Sequence, residues 1–275
     1  MVPGGQLVNS PTAQSLERCV QCEQHNYSNM SFINLSADEI KAPFYRYTDF
    51  GRLIELFSKR EMTLVRPEKW DDPFENYIID PDVRFADGSF IRLVYRQVIH
   101  GSCWTKKSVS DAMWRIYSPD KISVRIKSTP EKIGQALENG LKKNKESSWH
   151  IGKVQYISQK QVEVKALDFA NRFFKSKQDK TAAEALLIKR TSFSHEKEVR
   201  VIVVDRNAKS KNGILKIKVD PHQIIDSVLV DSRASEEWVD VYSHYLKNVI
   251  GFKGHISKSA LYKPIERIQV NREKY

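Results

Sequence analysis

The residues best suited to chemistry in this chain fall in three places, each at the end of an apolar stretch, where sites are commonly built. The first is Arg46, flanked by Tyr45 and Tyr47 and followed by Thr48 and Asp49, either of which can cap a helix. A guanidinium beside free backbone N–H groups and a helix dipole suits a phosphate or another anion. The competing reading places Arg46 on a sheet edge, paired with a surface acid. The second place runs from Ser102 to Tyr117. There Thr105 and Ser108 supply hydroxyls, and Trp104, Trp114 and Tyr117 supply flat faces able to stack a base or nicotinamide ring. Rings at helical spacing serve a core equally well, as for Trp114, whereas a buried Tyr117 needs a partner for its hydroxyl. The third is His195-Glu196-Lys197-Glu198-Val199-Arg200. On a strand, period two brings Glu196, Glu198 and Arg200 to one face, so two carboxylates and a guanidinium converge. A buried Glu198 must be paired, Arg200 is its obvious partner, and Glu196 is then the freer acid.

Two further groupings are incomplete. Asp71, Asp72 and Glu75, together with the basic charge, fit a metal-dependent nuclease, but the acid-x-Lys spacing of such enzymes is absent because Glu196 and Lys197 are adjacent. Cys19 and Cys22 form a CxxC followed by His25, yet a structural zinc needs four ligands and the second half is missing. No metal is therefore expected.

Several elements must position these groups. Phe44-Tyr45-Arg46-Tyr47 reads as a short strand, leading into a helix with Phe50, Leu53, Ile54 and Phe57 on its apolar stripe. Met62-Thr63-Leu64 reads as another strand, and Trp70-Asp71-Asp72-Pro73-Phe74-Glu75 as an acidic turn. Phe90 to His100 fits helix or strand, Ser102-Cys103-Trp104-Thr105 a strand end, and Ser110 caps a helix carrying Met113, Trp114 and Tyr117. Lys121 to Ile126 alternates as a half-buried strand does, and Thr129-Pro130-Glu131 opens a helix with Ile133, Ala136, Leu137 and Leu141 on one stripe. A strand near Val154 to Ile157 leads into helices at about 162–175 and 180–189. Val199 to Val204 has apolar residues facing both ways and marks a central strand. Strands at 214–219 and 227–230, a helix at about 235–249 and a short last strand complete the order.

Composition bounds the whole. The 275 residues suffice for one large core, and 40% hydrophobic with 29% charged residues is ordinary for a globular chain. Residues 1–40 read as a largely disordered arm, for the first thirty have no sustained apolar period, and 41–275 as a single α+β domain. Three cysteines cannot close a disulfide framework, and no apolar run approaches a membrane span or a signal peptide, so a cytoplasmic location is expected. The formal charge of +11 attracts anions such as nucleotides or nucleic acid. However, Lys142-Lys143-Asn144-Lys145 and Lys209-Ser210-Lys211 lack the interleaved rings of a stacking surface.

Taken in order, Tyr45-Arg46-Tyr47, the Trp70 to Glu75 run, Cys103-Trp104-Thr105, Met113-Trp114 with Tyr117, and Glu196-Lys197-Glu198-Val199-Arg200 resemble the bacterial family called domain of unknown function 2971, over about residues 44–232. Asp71 stands where that family usually has asparagine, and Trp104-Thr105 where it usually has Phe-Ser. The same order more distantly resembles the ADP-ribosyltransferase fold. That resemblance implies an α+β fold with mixed or antiparallel central sheets and flanking helices, and NAD as substrate. It also implies Arg46, with Tyr45 beside it, at the NAD pyrophosphate or ribose and Thr105 or Ser108 supporting the Arg strand. Tyr117 or Trp114 would stack nicotinamide, and Glu198 or Glu196 would bond the nicotinamide ribose. The expected activity is ADP-ribosyl transfer or NAD hydrolysis. The alternatives are the nuclease and a non-enzymatic module that captures a nucleotide or nucleic acid; no membrane contact is expected, and no protein partner is legible.

Overall fold

The strand at Glu198–Asp205 is buried at all eight positions, because it runs between two neighbouring strands and helices cover both faces. The computed structural model describes residues 30–72, 74–77, 83–84, 90–91, 95–175, 178–207 and 211–264. In chain order the strands are β1 (Met30–Ile33), β2 (Phe44–Thr48), β3 (Glu61–Val65), β4 (Val83–Arg84), β5 (Phe90–Ile91), β6 (Ile99–Thr105), β7 (Val124–Ser128), β8 (Ser147–Lys153), β9 (Gln155–Ile157), β10 (Ile188–Arg190), β11 (Glu198–Asp205), β12 (Ile214–Lys218), β13 (Ser227–Val230) and β14 (His255–Lys258). The helices are α1 (Ala37–Lys41), α2 (Phe50–Lys59), α3 (Phe74–Tyr77), α4 (Tyr95–Val98), α5 (Asp111–Tyr117), α6 (Pro130–Leu141), α7 (Gln159–Lys175), α8 (Asp179–Ala185), α9 (Pro221–Ile224) and α10 (Glu236–His244).

The main sheet runs β1-β8-β11-β6-β2-β7-β13-β14, with β3 branching from β6 and β12 from β3. The two end pairs are parallel and the pairs between them antiparallel. This is the expected α+β class, a mixed-orientation sheet with flanking helices. Alternation sorts its side chains: Val199, Val201 and Val203 join Leu53, Phe57, Ile133 and Leu137 in one core, whereas Ile202 and Val204 join Phe169 and Phe173 in the other. Asp49, Ser110 and Thr129 cap α2, α5 and α6 through side-chain oxygens, as the sequence indicates.

Several boundaries differ from expectation. Residues 30–41, most of which fall within the arm expected to be disordered up to residue 40, form β1 and the capped helix α1, because β1 gains a full set of partners along β8. The remainder of the arm, with Cys19, Cys22 and His25, lies outside the described residues. The strand expected from Lys121 begins at Val124, since Lys121 takes a left-handed conformation with φ 64°. The helix expected to reach residue 189 stops at Ala185, and Ile188–Arg190 pairs with β9. Among the described residues no helix is long and apolar enough to cross a membrane.

β8 is not among the strands the sequence pattern indicates, as its Ser147, Ser148 and His150 do not look like a core strand, yet all three are buried. His150 Nδ1 lies 2.9 Å from Ser31 Oγ, joining β8 to β1. Burial pushes the imidazole down from 6.5 to about 4, with Lys180 acting the same way and Asp179 and Glu184 opposing. Between those values the unfolded chain binds the proton and the folded one does not, so stability falls as pH drops from 6.5 towards 4. The loss from this residue is on the order of 3 kcal/mol. Urea unfolding across that window should show a shallower acid loss for His150→Gln than for the parent; equal slopes would remove His150 as the source.

Candidate active site

A buried ionic cluster fills the second face of the sheet at the start of β11. Arg200 is fully enclosed, and its Nη2 lies 2.8 Å from both Glu198 Oε2 and Glu75 Oε1. Its Nη1 donates to the Leu186 carbonyl at 2.5 Å, and the guanidinium sits 4.5 Å from the Trp70 ring. Lys189 of β10 completes the set, with Nζ at 2.6 Å from Glu196, 3.1 Å from Glu75 and 3.4 Å from Glu198. The acidic turn is fastened here too, because Arg190 pairs with Asp72 at 3.0 Å and lies over the Phe74 ring.

Glu196 and Glu198 do converge, but not as neighbours on one strand face. Glu196 ends the 3-10 turn Thr191–Glu196, and Lys197, at φ 47°, kinks the chain into β11. The kink is held from β6, where Thr105 Oγ1 donates to the Glu196 carbonyl at 2.5 Å and Lys106 N donates to the Lys197 carbonyl at 3.0 Å. Tyr156 Oη accepts from Glu198 N at 2.8 Å.

Three carboxylates here share two cations, so one negative charge is unmatched. The surroundings decide which acid carries the imbalance. Burial pushes the Glu196 carboxyl above its ordinary value, and the bond from Lys189 only partly offsets this. Burial acts on Glu198 too, but Arg200 and Lys189 outweigh it and hold that carboxyl below its ordinary value. Two adjacent acids are thereby set to different protonation preferences, the arrangement that acid–base chemistry uses. Burial and the nearby Glu198 raise the Cys103 thiol well above its usual range, so it stays protonated and is no nucleophile.

Above the carboxylates lies a pocket of about 40 Å³ whose lining includes Tyr45, Arg46, Thr105, Tyr117, Glu196 and Glu198. Six of the eight expected site residues thus border one hollow. The other two do not. Trp114 is fully buried against Tyr47 and Met113, its rings edge-on at 4.7 Å, so it is core and has no face free to stack a base. Ser108 is exposed on the loop before α5 and lies off the pocket. Tyr117, 41% exposed, stacks over Tyr47 at 6.1 Å and forms the rim.

Arg46 is neither on a sheet edge nor paired with a surface acid, since β2 lies between β6 and β7 and no carboxylate partners Arg46 among the described residues. Tyr45 lies opposite Thr105, and Thr105 opposite Glu198, so those three share a face and alternation turns the Arg46 side chain to the other. On the carboxylate face, in addition to Arg200 of the cluster, the nearest strand neighbour with a guanidinium is Arg125 of β7, opposite Tyr47 and 4.2 Å over the Tyr45 ring. Its Nε and Nη1 are buried without partners. The alternating pattern around Arg125 indicated its strand, but not which strand would lie beside it. Glu75 stood in the acidic turn with a different role attached, and Lys189, expected at a helix end, carried no signal.

Residues 113–201 match the family model described as Protein of unknown function (DUF2971). That stretch of the chain is similar to DUF2971. No curated protein and no solved structure matches the chain. The matched stretch includes Tyr117, Arg125, Lys189, Glu196, Glu198 and Arg200, hence most of the charged groups described above, while Glu75, Tyr45 and Thr105 come from the chain before it.

Trp70 is wedged between Arg200 and the β6 backbone, and a Cβ on Gly101 would come within 2.6 Å of its ring. Gly101→Ala should therefore push Trp70 off the guanidinium and cost about 1–3 kcal/mol, the usual range for overpacking. Urea unfolding checks this, and an unchanged midpoint would mean that the indole has room to move.

Proposed function

We propose that the pocket binds NAD and cleaves its nicotinamide–ribose bond, as an ADP-ribosyltransferase or NAD glycohydrolase. The observation that carries this reading is the meeting of Glu196, Glu198, Tyr117 and Tyr45 around one pocket, with the two acids biased to opposite protonation behaviour.

Breaking the C1′–N bond sends its electron pair to nicotinamide and leaves positive charge on the ribose. The ionised Glu198 favours that state over the ground state, since its charge is already in place and needs no reorganisation. Glu196, whose proton affinity is raised, accepts the proton of the attacking water or acceptor hydroxyl as the new C1′–O bond forms. Tyr117 offers its face to the departing ring, and Arg125, which stacks on Tyr45 beside the pocket, supplies the cation for the phosphates in this reading. At about 40 Å³ the hollow has room for a few waters but not for a nucleotide, so the reading requires Tyr117 to swing aside as the nucleotide enters.

A nuclease metal fits less well, for Asp72 is taken by Arg190 and Glu75 by Arg200 and Lys189. The specific observation in favour of a non-catalytic nucleotide-binding module is that Glu196 and Glu198 also have cationic partners, as in a purely structural brace. Incubating the purified protein with NAD and following free nicotinamide separates the two. Release above the uncatalysed rate supports the enzyme, whereas calorimetric binding without release supports the module.

A further inference from the structure

A second and larger cavity, about 510 Å³, lies on the opposite face of the sheet from the carboxylate cluster and is within the size range of small-molecule sites. It opens where the sheet forks. β6 meets β2 at the single pair Tyr45 and Thr105, and meets β3 at the single pair Val65 and Gly101. Between those points the strands diverge, and the gap is floored by Leu53, Met62, Trp104, Ile126 and Ile225.

The charges around this apolar floor do not balance. Glu55 and Glu61 on its rim are held by lysines, Lys216 among them, and Arg52 by Asp49. Arg46 and Lys69 line the same cavity, and neither has a carboxylate partner among the described residues. Burial lowers the proton affinity of half-buried Arg46, and the nearby Asp49 does not reverse this. Trp104 adds a second unmet donor, because its Nε1 is buried without an acceptor.

We infer that this cavity binds a small amphipathic anion, its apolar body on the Leu53, Met62 and Trp104 floor and its carboxylate or phosphate paired with Arg46. The apolar lining favours an occupant with an apolar body over a simple inorganic ion, and a guanidinium with no carboxylate at ion-pair distance among the described residues favours an anionic occupant over a neutral one. The inference does not rest on NAD cleavage. Because Arg46 also borders the carboxylate pocket, the test reads binding and not turnover.

The probe is 8-anilinonaphthalene-1-sulfonate, displaced in separate titrations by decanoate and by 1-decanol. Decanoate should displace it from the unmodified protein at a concentration about tenfold or more lower than decanol, the gain expected of one charge-assisted pair. Thr63→Trp, which fills the cavity from β3, should weaken both the probe and decanoate by a similar factor. Arg46→Gln should bring decanoate and decanol together. Equal potency of the two in the unmodified protein, no saturable probe binding, or full binding by Thr63→Trp would each overturn the inference, and the first two need no variant to fold.

Discussion

Replacing Glu198 by glutamine should lower nicotinamide release from NAD by roughly 10²–10³-fold, the usual loss when one preorganised electrostatic group is removed from a transition state. The amide keeps the shape of the side chain and removes the charge that Arg200 and Lys189 keep ionised. Glu196→Gln should behave differently. Its raised carboxyl must be deprotonated to accept the incoming proton, so the parent rate should fall on acidification at a pH higher than for an ordinary glutamate. The variant should be slow at every pH and lack that limb. Thermal unfolding run in parallel separates lost chemistry from lost structure. If both glutamine proteins release nicotinamide as fast as the parent, neither acid acts in the reaction and the proposed function fails.

The second large effect concerns stability. In Arg200→Met the fully buried Glu75 and Glu198 lose their guanidinium, and Lys189 alone faces three carboxylates. Removing one member of a buried ion pair costs about 3–5 kcal/mol, because the remaining charge stays in a medium that solvates it poorly. For a domain of this size the loss corresponds to a fall in melting temperature of roughly 10 °C. Arg200→Lys should recover little, since one ammonium cannot serve Glu75, Glu198 and the Leu186 carbonyl together. Adding Glu198→Gln to Arg200→Met should restore part of the stability by removing an unpaired charge, and urea unfolding of the two single variants and the double gives the coupling. A loss below about 1 kcal/mol in Arg200→Met would show that the cluster tolerates a missing cation, against the low-dielectric picture drawn above.

The sequence determined what depends on near neighbours. The caps at Asp49, Ser110 and Thr129, the stripes of α2 and α6, and the two-sided apolar pattern of β11 are local, and each was found where period and capping place it. The polar residues that gather were also visible as Tyr45, Thr105, Tyr117, Glu196 and Glu198, because polar groups at the ends of apolar elements stand out against their surroundings. Tertiary structure alone decided the partnerships. Glu75 and Lys189 reach Arg200 and Glu196 only because α3 and β10 pack beside β11, and no sequence period encodes a contact across 125 residues. Register also decided which way the arginines of β2 and β7 turn: a one-residue step moves a side chain to the other side of a sheet, so Arg46 turns toward the apolar cavity and Arg125 stacks on Tyr45 on the carboxylate side. β8 escaped notice for the related reason that Ser148 and His150 are polar yet buried, and burial is a property of what packs against a strand rather than of the strand itself.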